Sequence, residues 1–218
     1  MISIAIVDDH HLFRKSLEML VNSFEGFQVA FTAENGKDFL KKLKTNPVEI
    51  VLLDIQMPEM DGFQTCHILH KLYPDVKILI VSQLTTKESI HSIMELGAHG
   101  YFTKNSDPDQ LEFAINSLHK NGYYFGLELG TVLREAILWD KQQAKPIANP
   151  GLLSQRELEI IKMASSEFSS AQIADKLSLH VRTVETHRKR IMKKTNSKNF
   201  IGVVLFTLRN NYLTIDDL

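Results

Sequence analysis

Short apolar runs alternate with amphipathic segments through residues 1–122, and two of the runs close on carboxylates: Ile4 to Val7 is followed by Asp8 and Asp9, and Ile50 to Leu53 by Asp54. Continuous apolar runs bounded in this way describe strands buried on both faces, as in parallel sheets. Five such strands are expected at 2–7, 27–32, 49–53, 77–81 and 100–102, with helices near 11–22, 36–44, 62–72, 86–96 and 107–120. The alternation predicts an α/β unit, a doubly wound (βα)5 parallel sheet with helices on both faces. In open sheets of this kind ligands gather outside the carboxyl ends of the strands. Three acids forced together there repel one another unless a cation intervenes. Oxygen-only ligands point to Mg2+ rather than to a thiolate or imidazole metal.

After Asn121 and Gly122 the alternation stops. Residues 123–150 read as a linker that holds one helix-compatible amphipathic segment, about Leu127 to Trp139, before a polar stretch with Pro146 and Pro150. Residues 151–218 show helical patterns only, opened by two capping boxes, Ser154 with Glu157 and Ser169 with Gln172. A third helix is expected from Val181 and a fourth from about Lys198, giving a small all-α four-helix unit. The chain thus divides into 1–122, 123–150 and 151–218.

The net charge of −1 conceals opposite halves: residues 151–218 carry 11 Lys and Arg against 7 Asp and Glu, whereas residues 1–150 carry 14 against 19. An acidic half suits a cation and a basic half suits a polyanion. Composition is that of a globular protein, 44% hydrophobic and 23% charged. No apolar stretch approaches the roughly 20 residues that span a bilayer, and the first residues lack a signal-like n-region, so a cytoplasmic protein is expected. The single cysteine, Cys66, excludes an internal disulfide and reads as a half-buried packing residue.

Val7-Asp-Asp-His10, Leu52 to Gly62 (LLDIQMPEMDG), Ser82 ending the fourth strand, and Tyr101 with Lys104 around the fifth resemble, in order and spacing, the receiver domain of bacterial response regulators. The resemblance implies that Asp54 is the phosphoacceptor for a sensor histidine kinase. It also implies Mg2+ held by Asp8, Asp9, Asp54 and the backbone carbonyl of Gln56. Lys104 supplies a second positive charge, and Ser82 and Tyr101 form the switch pair. His10 and His11, beside the acids, are read as surface or packing residues. Pro58 and Gly62 are read as shaping the loop beyond Asp54. Many receivers have proline after the lysine. This chain has Asn105, which leaves the geometry of that loop open.

Projected at about 100° per residue, residues 181–194 place Arg182, Thr183, Glu185, Thr186, Lys189, Arg190, Lys193 and Lys194 on one half of a helix, and Val181, Val184, Ile191 and Met192 on the other. The polar half is a recognition face suited to the major groove of double-stranded DNA. The segment from Leu153 to Ile191 resembles the LuxR-type DNA-binding domain, and with the receiver it resembles the NarL/FixJ branch of response regulators. By position, Glu185, Thr186 and Lys189 are the base readers, while Arg182, Thr183, His187, Arg190 and Lys193 hold phosphates. The resemblance also implies a homodimer through the last helix. Three residues depart from the pattern: His180 stands at the helix start where serine is usual, Phe168 stands where glycine is usual, and Arg188 projects into the apolar arc. Arg188 is expected to snorkel outward or to pair with an acid.

The sequence therefore predicts a phosphorylation-switched transcription factor, not an enzyme beyond its own phosphorylation and autodephosphorylation. Two other classes stand beside it. A Mg2+-dependent phosphohydrolase of the haloacid-dehalogenase type would carry a DxD pair after the first strand, but here Asp8 is followed by Asp9 and His10. A DNA-binding protein independent of phosphorylation would bind its operator equally with and without a phosphoryl mimic.

Overall fold

The computed structural model describes residues 1–83, 92, 95–124, 126, 151–214 and 217. Five parallel strands, β1 (Ile2–Val7), β2 (Phe27–Ala33), β3 (Ile50–Leu53), β4 (Lys77–Ser82) and β5 (Gly100–Thr103), form one sheet in the order β2-β1-β3-β4-β5. The side-chain period of two explains why the strands are so apolar. Ala5, Val7, Val51, Leu53, Ile78 and Ile80 enter one core, and their neighbours Ile4, Ile6, Ile50, Leu52, Leu79 and Val81 enter another. Both faces are covered, as expected. Helices α1 (His11–Ser23) and α4 (Pro108–Asn121) supply Leu17, Val21, Leu111 and Ile115 to the second core, and α2 (Gly36–Leu43) and α3 (Gly62–Leu72) supply Phe39, Leu43, Cys66 and Leu69 to the first.

Strand ends differ from the expectation by a residue where pairing extends them. Thus β2 continues to Ala33, whose carbonyl accepts the Asp8 N–H at 3.1 Å. Cys66 is fully buried rather than half-buried, and burial pushes its thiol up to about 12 against the opposing charge of Lys198. Most of the helix expected near 86–96, and the segment 127–139 with Trp139, lie outside the described residues.

Residues 155–209 form α5 (Gln155–Ser165), α6 (Ser170–Leu177), α7 (Val181–Thr195) and α8 (Phe200–Arg209). Both predicted capping boxes are present: Ser154 accepts from the Glu157 N–H while Glu157 returns to the Ser154 N–H, and Ser169 pairs likewise with Gln172. Between α6 and α7, Ser178 adopts a left-handed conformation (φ 53°) that reverses the chain within a three-residue turn, Ser178 to His180. No described helix is long and apolar enough to cross a membrane.

Candidate functional site

The topology itself gathers the acids. Strands β1 and β3 are neighbours, with Val7 opposite Leu53, so Asp8 and Asp54 leave the sheet side by side where the strand order reverses. Strands β4 and β5 end in register at Ser82 and Thr103, and the Lys104 N–H donates to the Ser82 carbonyl at 3.0 Å. The Lys104 side chain turns back over the edge. Its Nζ lies 2.6 Å from Asp8 Oδ2 and 2.6 Å from Asp54 Oδ2, with all three side chains at most 6% exposed. Such a pair is held only when its geometry and remaining hydrogen bonds are good. Here the Ile55 N–H donates to Asp54 Oδ1 at 2.7 Å and the His10 N–H to Asp8 Oδ1 at 2.8 Å.

Asp8, Asp9, His10 and Asp54 bring ligand atoms within 4.8 Å of one another, the one metal-competent cluster among the described residues. Three carboxylates around a cavity edge fit a hard divalent cation. Asp9 sits at the rim, and Gln56 is exposed in the loop that follows β3. Ser82 ends β4 and Tyr101 is the second residue of β5, opposite Ile80; both are buried, each at most 1% exposed. The loop beyond Asp54 needs Gly62: a Cβ there would lie 2.4 Å from the Asp54 carbonyl oxygen. The Lys104–Asn105 bond is trans.

On α7 the structure leaves Arg182, Glu185, Thr186, Lys189, Arg190 and Lys193 exposed, with Thr183 and His187 half-buried. Val184 and Ile191 are fully buried against α5, α6 and α8. Val181 is a correction: expected in the docking arc, it is 42% exposed, because it lies in the first turn beyond the edge of the neighbouring helices. Lys194 is drawn inward to Glu157, 2.7 Å away. Burial by itself would raise the Glu157 carboxyl, but hydrogen bonds from Lys194 and Ser154 prevail and hold it below the usual carboxylate range.

Residues 4–116 match the response regulator receiver domain, and residues 151–207 match the bacterial regulatory proteins of the luxR family. The oxygen regulatory protein NreC of Staphylococcus epidermidis is 30% identical over 215 residues, 96% of this chain and 98% of that one. The chain belongs to the DNA-binding response regulators of the NarL/LuxR family. NreC of Staphylococcus carnosus matches equally, at 30% over 213 residues. The solved response regulator ChrA of a heme-sensing two-component system is 26% identical, with 97% and 98% of the two chains covered and a TM-score of 0.52. An RcsB–DNA complex at 19% identity, covering 95% and 98%, shares the fold with a TM-score of 0.60.

Several residues of this response regulator's site were not legible beforehand. Arg14 donates to the Asp8 carbonyl, and Lys104 Nζ lies 4.7 Å from the Phe13 ring centroid, so the first turn of α1 floors the pocket. The helical spacing of Phe13 and Arg14 gave no hint of it. His10 keeps the expected surface position, 69% exposed, yet its Nδ1 lies 2.9 Å from Asp9 Oδ1. His180 makes no cap, as its side chain suggested. Phe168 packs partly against the core with Lys176 Nζ 4.2 Å over its ring, and the left-handed residue of this turn is its neighbour Glu167 (φ 63°). Arg188 does not snorkel, and among the described residues it pairs with no acid. Its guanidinium lies against the rings of Tyr123 and Phe200 and donates to a hydroxyl and a carbonyl, because the receiver reaches it from a side that a helix projection cannot represent.

Proposed function

We propose that this response regulator takes a phosphoryl group on Asp54 from a sensor histidine kinase and thereby controls promoter binding by α7. In that step an Asp54 carboxylate oxygen attacks the phosphorus of the phosphohistidine donor. The P–N bond breaks, its electron pair leaves with the imidazole, and an acyl phosphate forms. The residues fit Mg2+, with Asp8, Asp9, Asp54 and the Gln56 carbonyl as its holders. When bound it would neutralise charge on the transferring group. Lys104 positions Asp54 beforehand and pairs with the phosphoryl oxygens afterwards. Ser82 offers a hydroxyl, and Tyr101, on the adjacent strand, answers its movement.

The single observation that carries this reading is the Lys104 ammonium, shared at 2.6 Å between Asp8 and Asp54. It holds one carboxylate in place and leaves the buried group with one net negative charge, which a divalent cation would offset. The added charge of about −2 is enough to bias a two-state element. The division into a phosphoacceptor domain (1–122), a linker (123–150) and a DNA-binding domain (151–218), and the location in the cytoplasm, belong to the same proposal. So does a homodimer through α8, which would need release of the helix, because seven of its ten residues are buried within the chain and Phe200 stacks on Tyr123. Glu185, Thr186 and Lys189 would read bases, and Arg182, Thr183, His187, Arg190 and Lys193 would hold phosphates. Labelling with radioactive acetyl phosphate in Mg2+ tests the chemistry. The intact chain should be labelled and Asp54→Ala should not. Stoichiometric labelling of Asp54→Ala would move the nucleophile elsewhere.

A further inference from the structure

Arg188 stands on the recognition helix but faces the receiver. Its guanidinium donates to the Asn121 carbonyl at 2.6 Å and to Ser170 Oγ at 2.9 Å, and lies 4.9 Å from the Tyr123 ring centroid and 4.7 Å from that of Phe200. The two rings stack on each other at 5.4 Å, and the Tyr123 hydroxyl donates to the Ala164 carbonyl of α5 at 2.9 Å. Beside this cluster the Asn199 side chain, which caps α8, donates to the Ala98 carbonyl, and Arg209 pairs with Glu95 at 2.9 Å. One apolar cluster runs from Ala98, Tyr101 and Tyr123 into Phe200 and Ile201.

The receiver half of this contact is tied to the strand beside the acidic pocket. Gly122 ends α4 in a left-handed conformation (φ 83°) that returns the chain to the sheet. There the Tyr124 N–H donates to the His99 carbonyl at 2.9 Å and Tyr124 bridges to Gly100. Tyr123 is thus anchored to β5, which also carries Tyr101 and leads directly to Lys104. A shift of that strand moves the Arg188 seat with it.

The contact has a second property. The base-reading side chains of α7 stay exposed in this arrangement; what the receiver withdraws is Arg188, the face of α8 near Phe200, and none of Glu185, Thr186 or Lys189. Arg188 lies roughly 60° around the helix from Glu185, so a released guanidinium can swing to the margin of the reading face. Its partners here are a carbonyl, a hydroxyl and two rings, all uncharged. Phosphate oxygens bind a guanidinium bidentately and about twice as strongly as neutral acceptors do.

We propose that Arg188 is a DNA phosphate contact for which the receiver and DNA compete: bound to Asn121 and Tyr123 it fastens the two halves together, and released it joins the protein–DNA interface. The contact is built from neutral acceptors, so a polyanion displaces it. This inference rests on the reading of α7 as the DNA-contacting helix and deepens its regulation.

The test uses the full chain, without phosphodonor, and a fluorescein-labelled duplex of mixed sequence, whose binding reports phosphate contacts. Arg188→Lys keeps the charge but loses the planar fork and the ring contacts, so it should bind DNA about tenfold more tightly, as when a competent state held to roughly a tenth of the population becomes dominant. Tyr123→Ala should do the same. Arg188→Gln in the Tyr123→Ala background should flatten the salt dependence by about one unit of slope. Tyr123→Phe, which keeps the ring, should bind as the parent does; unchanged affinity in both Arg188→Lys and Tyr123→Ala would overturn the competition. An unchanged slope for Arg188→Gln in that background would overturn the phosphate contact. The outcome is independent of the phosphorylation chemistry. Tighter binding by Arg188→Lys with no response of the intact chain to beryllofluoride would retain the competition and reject phosphorylation as its trigger.

Discussion

The charges of the acidic pocket and those of the recognition helix are arranged in opposite ways. At the sheet edge Lys104, Asp8 and Asp54 are buried and satisfy one another at 2.6 Å. On α7, Arg182, Lys189, Arg190 and Lys193 stand in solvent around Glu185 and Thr186. A buried group of two carboxylates sharing one ammonium responds strongly to one added charge, because every partner must rearrange together. An exposed row of cations responds little and instead waits for an external polyanion. Buried charge of this kind suits a switch, and exposed charge suits binding. Arg188 belongs to neither class fully, being a recognition-helix cation held partly buried by the Asn121 carbonyl of the other half and the Ser170 hydroxyl of its own.

The comparison breaks most visibly at Lys104. Lys104→Met leaves Asp8 and Asp54 buried without their counter-charge, and the receiver should lose about 3 kcal/mol of stability in urea unfolding without metal. Millimolar Mg2+ should restore part of it. Stability that falls by less than about 0.5 kcal/mol would place the pair among weak surface bridges. The exposed side gives the smaller effect. Lys193→Ala should leave the urea midpoint within about 0.5 kcal/mol of the parent while flattening the salt dependence of DNA binding by about one unit. Loss of binding to one sequence alone would make Lys193 a base reader.

Much of this arrangement was legible in the sequence because it follows from local periodicity. Alternate residues of Ile4 to Val7 and Ile50 to Leu53 divide cleanly between two cores, which is what continuous apolar runs in a parallel sheet require. The acids then meet because β1 and β3 are neighbours at the reversal of strand order. Ser154 and Ser169 announced their helices because a cap is a contact three residues long. Long-range contacts gave no such signal. The Phe13 and Arg14 floor under Lys104 and Asp8 depends on how α1 sits on the sheet. Arg188 keeps its place in the apolar arc but neither snorkels nor meets an acid among the described residues, because Tyr123 and Asn121 approach it from 65 and 67 positions away in the chain, outside any helical wheel. Cys66 proved fully buried because it shares with Leu69 the face of α3 that enters the core.

The central claim is that phosphorus on one carboxylate governs a basic helix in the other half of the chain. Titrating a labelled promoter duplex with the full chain in Mg2+, with and without beryllofluoride, tests it most directly. The intact protein should bind more tightly by about tenfold when the mimic is present, and Asp54→Ala should show no change. Equal affinity of the intact protein in both conditions would contradict the account.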